Sequence, residues 1–231
     1  MALDIKICGL KTEATVEAAL EGGADFIGFV FFAKSPRNVD VDLARTLAGP
    51  ARGRTRIVAL TVDASDELLS RIAGGLGPDL LQVHGAETPA RVGDIRARFG
   101  IPVMKALKIA GPEDLVAISA FEPVADRLLF DAKAPPGLAG ALPGGNGISF
   151  DWRLIAGLDV SKPAMLSGGL TADNVAEAIR LTGVAGVDVS SGVESRPGEK
   201  DPRLIARFIT AARQAERAGM PAGTSLGRAT L

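Results

Sequence analysis

The chain has 231 residues, 47% of them hydrophobic, with 26 Lys and Arg set against 27 Asp and Glu. So even a balance leaves no basic footprint for a nucleic acid and no cationic face for a membrane surface, and no apolar run reaches the roughly 18 residues of a spanning helix. The single cysteine, Cys8, excludes an internal disulfide and a multi-cysteine metal cluster, and with no leader-like start the chain is expected to be cytoplasmic.

Short apolar runs alternate with amphipathic stretches along the chain. The first predicted strands are Leu3–Cys8, Asp25–Phe31 and Arg56–Val62. Ser65 then caps a helix that buries Leu68, Leu69 and Ile72, and the fourth strand is Asp79–Val83. Thr88 and Pro89 read as the N-cap and first residue of a helix with Val92, Ile95 and Phe99 on one face. Strands follow at Pro102–Leu107, Arg127–Asp131 and Pro163–Ser167. Thr171 is a candidate cap for a helix with Val175, Ala178 and Ile179, and the eighth strand is Ala185–Val189. Asp201 and Pro202 open a last helix with Leu204, Ile205, Phe208 and Ile209 inward.

These runs are apolar throughout rather than alternating, as strands covered on both faces are. Strand–helix alternation implies a parallel sheet. Eight units favour closure into a single (β/α)8 barrel over residues 1–217, with an open doubly wound sheet as the alternative. The stretch 218–231 is small-residue rich and aperiodic, and reads as a flexible tail.

Such barrels carry their chemistry at the C-terminal ends of the strands. Strand 1 ends at Cys8 and strand 2 leads into Lys34-Ser35-Pro36-Arg37. Strand 4 ends at Gln82-Val83-His84-Gly85, strand 6 at Asp131-Ala132-Lys133, strand 7 at Ser167-Gly168-Gly169, and strand 8 at Asp188-Val189-Ser190-Ser191-Gly192. The only cysteine and the only histidine both fall on this rim. Gly168 and Gly169 on one loop, with Ser190, Ser191 and Gly192 on the next, let backbone N–H groups approach an anion. The loops after strands 7 and 8 are the usual phosphate seat of this fold; the same glycines also serve tight turns.

Cys8 is either a small buried hydrophobe or a base that must first become a thiolate. Lys6 shares its face of the strand, either as the cation that helps the thiolate form or in a buried ion pair with Asp188. Asp131 closes an apolar strand as a general acid, or else caps the next turn or pairs with Lys133. Arg37 has the planar fork that suits a carboxylate, or is a solvated surface charge. Gln82 and His84 share a face, as a hydrogen-bonded rim or as substrate contacts. One histidine without an acidic cluster does not make a metal site.

Taken together, Lys6-Ile7-Cys8-Gly9, Lys34–Arg37, Gln82–Gly85, Asp131–Lys133, Gly144-Gly145-Asn146-Gly147 with Phe150-Asp151-Trp152, Ser167–Leu170 and Asp188–Glu194 resemble the signature blocks of the phosphoribosylanthranilate isomerase family. The resemblance runs from strand 1 to strand 8. It implies a cofactor-free Amadori rearrangement of N-(5-phosphoribosyl)anthranilate in tryptophan biosynthesis. Asp131 would be the general acid that opens the ribose ring and Cys8 the base that takes the C2 proton. Arg37 would meet the anthranilate carboxylate, with Gln82 and His84 beside the substrate. Gly168, Gly169, Ser190, Ser191 and Gly192 would hold the phosphate, and Gly144–Gly147 would belong to a lid, with 134–142 a longer lid segment. Asn146 stands where the family pattern has a small hydroxyl residue. A histidine-pathway aminoaldose isomerase would need an acid where Cys8 stands, and a non-catalytic phosphate-binding barrel would have no use for Cys8 or Asp131. The expected partner is the phosphorylated small molecule, with no nucleic acid or membrane, on a monomer or homodimer.

Overall fold

A run such as Phe-Ile-Gly-Phe-Val-Phe is buried only where a sheet is covered on both faces. The computed structural model, which describes residues 2–219 except 136 and 138–141, arranges the eight runs in that way. The strands are β1 (Asp4–Cys8), β2 (Phe26–Phe31), β3 (Arg56–Thr61), β4 (Leu80–Val83), β5 (Val103–Ile109), β6 (Arg127–Ala132), β7 (Ala164–Leu166) and β8 (Gly186–Val189). They form a closed parallel barrel in sequence order, with β1 pairing back to β8. The eight predicted strands lie where they were expected, to within a residue or two at their ends.

Alternation along each strand divides the core in two. Phe26, Val58, Leu80, Met104, Ala106, Leu129 and Met165 fill the barrel axis. The larger apolar cluster lies between the strands and the helices. Gly28 leaves space inside the barrel: a Cβ there would sit 3.0 Å from Cys8 Sγ and 3.4 Å from Lys6 Cε.

The outer helices are α1 (Glu13–Gly22), α2 (Val41–Ala48), α3 (Asp66–Gly75), α4 (Pro89–Phe99), α5 (Ile118–Phe121), α6 (Val175–Thr182) and α7 (Pro202–Gly219). Ser65 and Thr88 cap α3 and α4 as expected, each side chain accepting an N–H from the first turn. Thr171 does not cap α6. Its N–H donates to Asn174 Oδ1 and its hydroxyl accepts from Asp173 N, so Thr-Ala-Asp-Asn closes a side-chain turn and the helix begins only at Val175. Strand–helix alternation also lapses between β6 and β7, where the outer layer among the described residues is a 3-10 turn, Trp152–Ile155. Of the Gly- and Pro-rich stretch there, residues 142–145 lie at the mouth.

After β8 a 3-10 turn, Ser191–Val193, leads into a hairpin of β9 (Glu194–Arg196) and β10 (Glu199–Lys200). α7 continues through the predicted start of the tail to Gly219; the rest of that tail, 220–231, lies outside the described residues, as does most of 134–142. The opposite end of the barrel is closed by Asp4, which accepts from Arg56 at 3.0 Å and from Arg127, while Arg56 stacks 3.7 Å over the Phe26 ring.

Candidate active site

Residues of inward parity at the C-terminal strand ends converge on one mouth. It is lined by Cys8, Arg37, His84, Asp131, Gly144, Gly145, Gly168, Gly169, Ser190 and Ser191, among others. Gln82, Asn146, Gly147 and Gly192 do not line it; they support residues that do.

Beneath the mouth, Lys6 Nζ donates to Asp188 Oδ1 at 2.7 Å, the ion pair that strand parity allows, and Ser167 Oγ donates to Asp188 Oδ2 at 3.0 Å. Both charges are buried. Burial alone would lower the Lys6 ammonium, but the Asp188 carboxylate and Cys8 outweigh it and hold Lys6 above the ordinary lysine value. Cys8 sits one layer higher. Burial pushes its thiol up, against the pull of the Lys6 cation, so a thiolate there forms only with help from the surrounding charge.

Across the mouth, Asp131 is anchored at both oxygens. Oδ1 accepts the Ala132 N–H at 2.9 Å and Oδ2 lies 3.1 Å from His84 Nε2. His84 Nδ1 is in turn 3.1 Å from Gln82 Nε2. Asp131 therefore does not pair with Lys133, whose ammonium instead meets Asp114 at 2.7 Å. Over this chain lies the loop 142–147. A Cβ on Gly144 would come 2.6 Å from Asp131 Oδ2 and 2.6 Å from His84 Cε1, so only glycine lets the backbone lie this close. Asn146 pins the loop, accepting from Leu142 N at 2.9 Å and donating to Leu142 O at 2.8 Å.

Arg37 is buried rather than a solvated arm. Its Nε and Nη2 form a fork on Glu194 at 2.7 and 2.9 Å, and Nη2 also donates to Gly145 O at 3.1 Å. Lys200 completes the cluster, donating to Glu194 Oε1 at 2.5 Å and to the carbonyl and hydroxyl of Ser190 at 3.0 and 3.1 Å. Burial would raise Glu194, but Arg37 and Lys200 outweigh it and bring its carboxyl down to about 2. Burial lowers Lys200 to about 8 despite the adjacent Glu194. Glu194 was visible in sequence only as the end of a motif, and Lys200 not at all. Both stand on the hairpin that folds back beside Arg37, a proximity that no local spacing encodes.

Two turns make the remaining wall. Gly168 and Gly169 hold consecutive positive φ values of 89° and 63°, a conformation that favours glycine and turns backbone toward the mouth. Gly192 packs underneath: a Cβ there would fall 1.8 Å from the Leu170 carbonyl oxygen. It thus fixes the approach of the β7 and β8 loops to one another. Among the described residues no group of three or more His, Cys, Asp or Glu is gathered for a metal ion, and no helix is long and apolar enough to cross a membrane.

A parallel eight-stranded barrel with a thiol and a carboxyl at one mouth, beside two glycine-built turns, has the frame of a barrel enzyme equipped for acid–base work. The family model described as N-(5'phosphoribosyl)anthranilate (PRA) isomerase matches residues 5–211. An N-(5'-phosphoribosyl)anthranilate isomerase of Rhodopseudomonas palustris (strain BisA53) is 58% identical over 217 residues, covering 94% of this chain and 99% of the relative. One of Parvibaculum lavamentivorans is 54% identical over 215 residues, covering 93% and 100%. The crystal structure of phosphoribosyl anthranilate isomerase from Thermotoga maritima superposes with a TM-score of 0.82 at 32% identity, covering 92% of this chain and 99% of that one. A phosphoribosyl anthranilate isomerase in complex with reduced 1-(o-carboxyphenylamino)-1-deoxyribulose 5-phosphate superposes at 0.76 with 29% identity, over 92% and 99%. The chain belongs to the N-(5'-phosphoribosyl)anthranilate isomerase family.

Proposed function

We propose that Cys8 and Asp131 serve as base and acid in the reaction of this family. The chain is an isomerase of tryptophan biosynthesis, acting on N-(5'-phosphoribosyl)anthranilate. The rearrangement to 1-(2-carboxyphenylamino)-1-deoxyribulose 5-phosphate needs only proton transfers, and no cofactor enters it. Asp131 gives a proton to the ribose ring oxygen. The C1–O bond breaks and the anilino nitrogen lone pair forms a C1=N bond. Cys8, as thiolate, takes the proton from C2, and the electron pair moves to make a C1=C2 enolamine. Loss of the C2 hydroxyl proton and protonation at C1 complete the ketose.

The observation that carries this reading is the placement of Cys8 and Asp131 on the wall of one mouth, each backed by a dedicated buried partner set. An acid role needs a proton on Asp131. With the Gln82 amide nitrogen on His84 Nδ1, Nε2–H donates to the Asp131 carboxylate and Gln82 Oε1 has no partner among the described residues. Turning the amide over lets Oε1 accept from Nδ1–H and leaves Nε2 to accept from a protonated Asp131. Gln82 and His84 can so support both protonation states through one turnover.

The phosphate is assigned to the N–H groups of Gly168, Gly169, Ser190 and Ser191, with Gly192 bringing the two loops together. The substrate carboxylate is assigned to Arg37, whose Nη1 makes no hydrogen bond among the described residues. Anchors at both ends fix the sugar between acid and base. The loop Gly144–Gly147 lies on Asp131 and His84 and is assigned as part of a lid that lifts to admit substrate. All these side chains come from residues 1–217 of one chain, so the site is complete in a monomer or in each half of a homodimer. The single cysteine supports a cytoplasmic setting, and the balanced charge supports a chain without nucleic-acid or membrane partners.

The test is a coupled assay in which phosphoribosylanthranilate is generated in place and its anthranilate-type fluorescence followed. The expected result is enzyme-dependent loss of fluorescence; a constant signal overturns the assignment.

A further inference from the structure

The cluster beside Cys8 is unbalanced in charge. Three cations, Lys6, Arg37 and Lys200, face two carboxylates, Asp188 and Glu194. Lys6 is matched by Asp188, whereas Arg37 and Lys200 share Glu194. With the thiol neutral, one positive charge is left over; with the thiolate, the cluster is neutral. Lys200 is also tied physically to the thiol's strand. Its ammonium holds the Ser190 hydroxyl, which donates to the Cys8 carbonyl at 3.1 Å.

We propose that Lys200 is a positioning residue for Cys8: it fixes Ser190 against the end of β1 and supplies the surplus positive charge against which the thiolate forms. The proposal rests on the reading of Cys8 as the base. The charged groups around the thiol are Lys6 on its own strand, Asp188 on β8 and Lys200 on β10, with Glu194 on β9 joining Lys200 to Arg37 from the loop after β2, and His84 and Asp131 across the mouth. Of these, Lys6 and Lys200 pull the thiol down while burial and Asp188 push it up. The matched Lys6 leaves Lys200 as the cation with charge to spare. At about 8, Lys200 is charged at neutral pH and loses that charge just above it.

Cys8 is the only thiol in the chain, so its ionisation can be read without turnover. The rate of iodoacetamide alkylation of the full chain at pH 7, where Lys200 is charged, followed by mass spectrometry, reads the thiolate fraction. Lys200→Met is expected to slow alkylation about tenfold. Lys200→Arg, which keeps the charge, is expected to restore the wild-type rate. An unchanged rate in folded Lys200→Met, or an equal loss in Lys200→Arg, overturns the proposal. Should Lys200→Met fail to fold, the coupling is read from the other side, since it is reciprocal. Lysine 13C NMR of wild type and Cys8→Ser is expected to show a higher Lys200 midpoint when Cys8 can ionise; equal midpoints overturn it. These measurements are independent of Cys8 as the base: near-full turnover in Cys8→Ser sinks that reading and leaves the charge result standing.

Discussion

Arg37 shows how much a single side chain depends on its neighbours. Its Nε and Nη2 are committed to Glu194, and Gly145 O takes a further bond, which sets the plane of the guanidinium and leaves Nη1 without a hydrogen bond among the described residues. Arg37→Lys retains a cation for Glu194 but loses the fork. It is expected to raise KM for the substrate by about tenfold or more, the worth of one charge-assisted hydrogen bond, with a near-native melting temperature. Steady-state kinetics check this, and an unchanged KM contradicts the carboxylate assignment. Cys8, Asp131 and His84 were legible in sequence because a residue's place at a strand end decides whether it reaches the mouth. The burial of Arg37 was not legible, because it depends on Glu194 and Lys200, which arrive from the far end of the chain.

Among the elements, the β7 and β8 loops and the hairpin after them carry the most specific demands. Gly192 lies against the Leu170 carbonyl where a Cβ has no space. Gly192→Ala therefore has to part the two loops, with an expected cost of about 2 kcal/mol in stability and a raised KM, read by denaturant unfolding and kinetics. Wild-type values of both contradict the close approach. The hairpin adds a pH signature. Glu194 falls from 4.5 to about 2 on folding, so the folded state holds fewer protons than the unfolded one between those values. Its contribution is present above pH 4.5 and is lost as pH drops toward 2. Glu194→Gln should flatten that acid limb of a stability–pH curve, by an amount on the order of 2 kcal/mol; a parallel curve contradicts the ion cluster. Element positions were well legible, since continuous apolar runs and Ser or Thr caps act locally. Thr171 misled because its hydroxyl and the Asn174 side chain close a local turn on the backbone of 171–173, just before the helix begins at Val175. Between β6 and β7 the described residues hold a 3-10 turn in place of a helix, and no local propensity announces that.

For the whole molecule, the barrel separates stability from chemistry by end. Asp4, Arg56, Arg127 and Phe26 close the floor, far along the strands from Cys8 and Asp131. Asp4→Ala leaves two guanidinium groups without their carboxylate. It is expected to cost about 1–3 kcal/mol, lowering Tm by several degrees while kcat at 25 °C stays as in wild type; a large fall in kcat contradicts the separation. Closure itself was legible from the number of strand–helix units, because eight parallel strands leave no edge once β1 meets β8. What closure creates is a fixed distance between Cys8 and Asp131, the proposed base and acid, across the mouth, and their roles are the central claim. It is tested most directly by turnover of phosphoribosylanthranilate by Cys8→Ser and Asp131→Asn, each with circular dichroism and binding of the reduced product analogue measured alongside. The account predicts loss of about 10²–10⁴-fold in kcat for each variant with fold and analogue binding retained. Near-wild-type kcat in either one contradicts it.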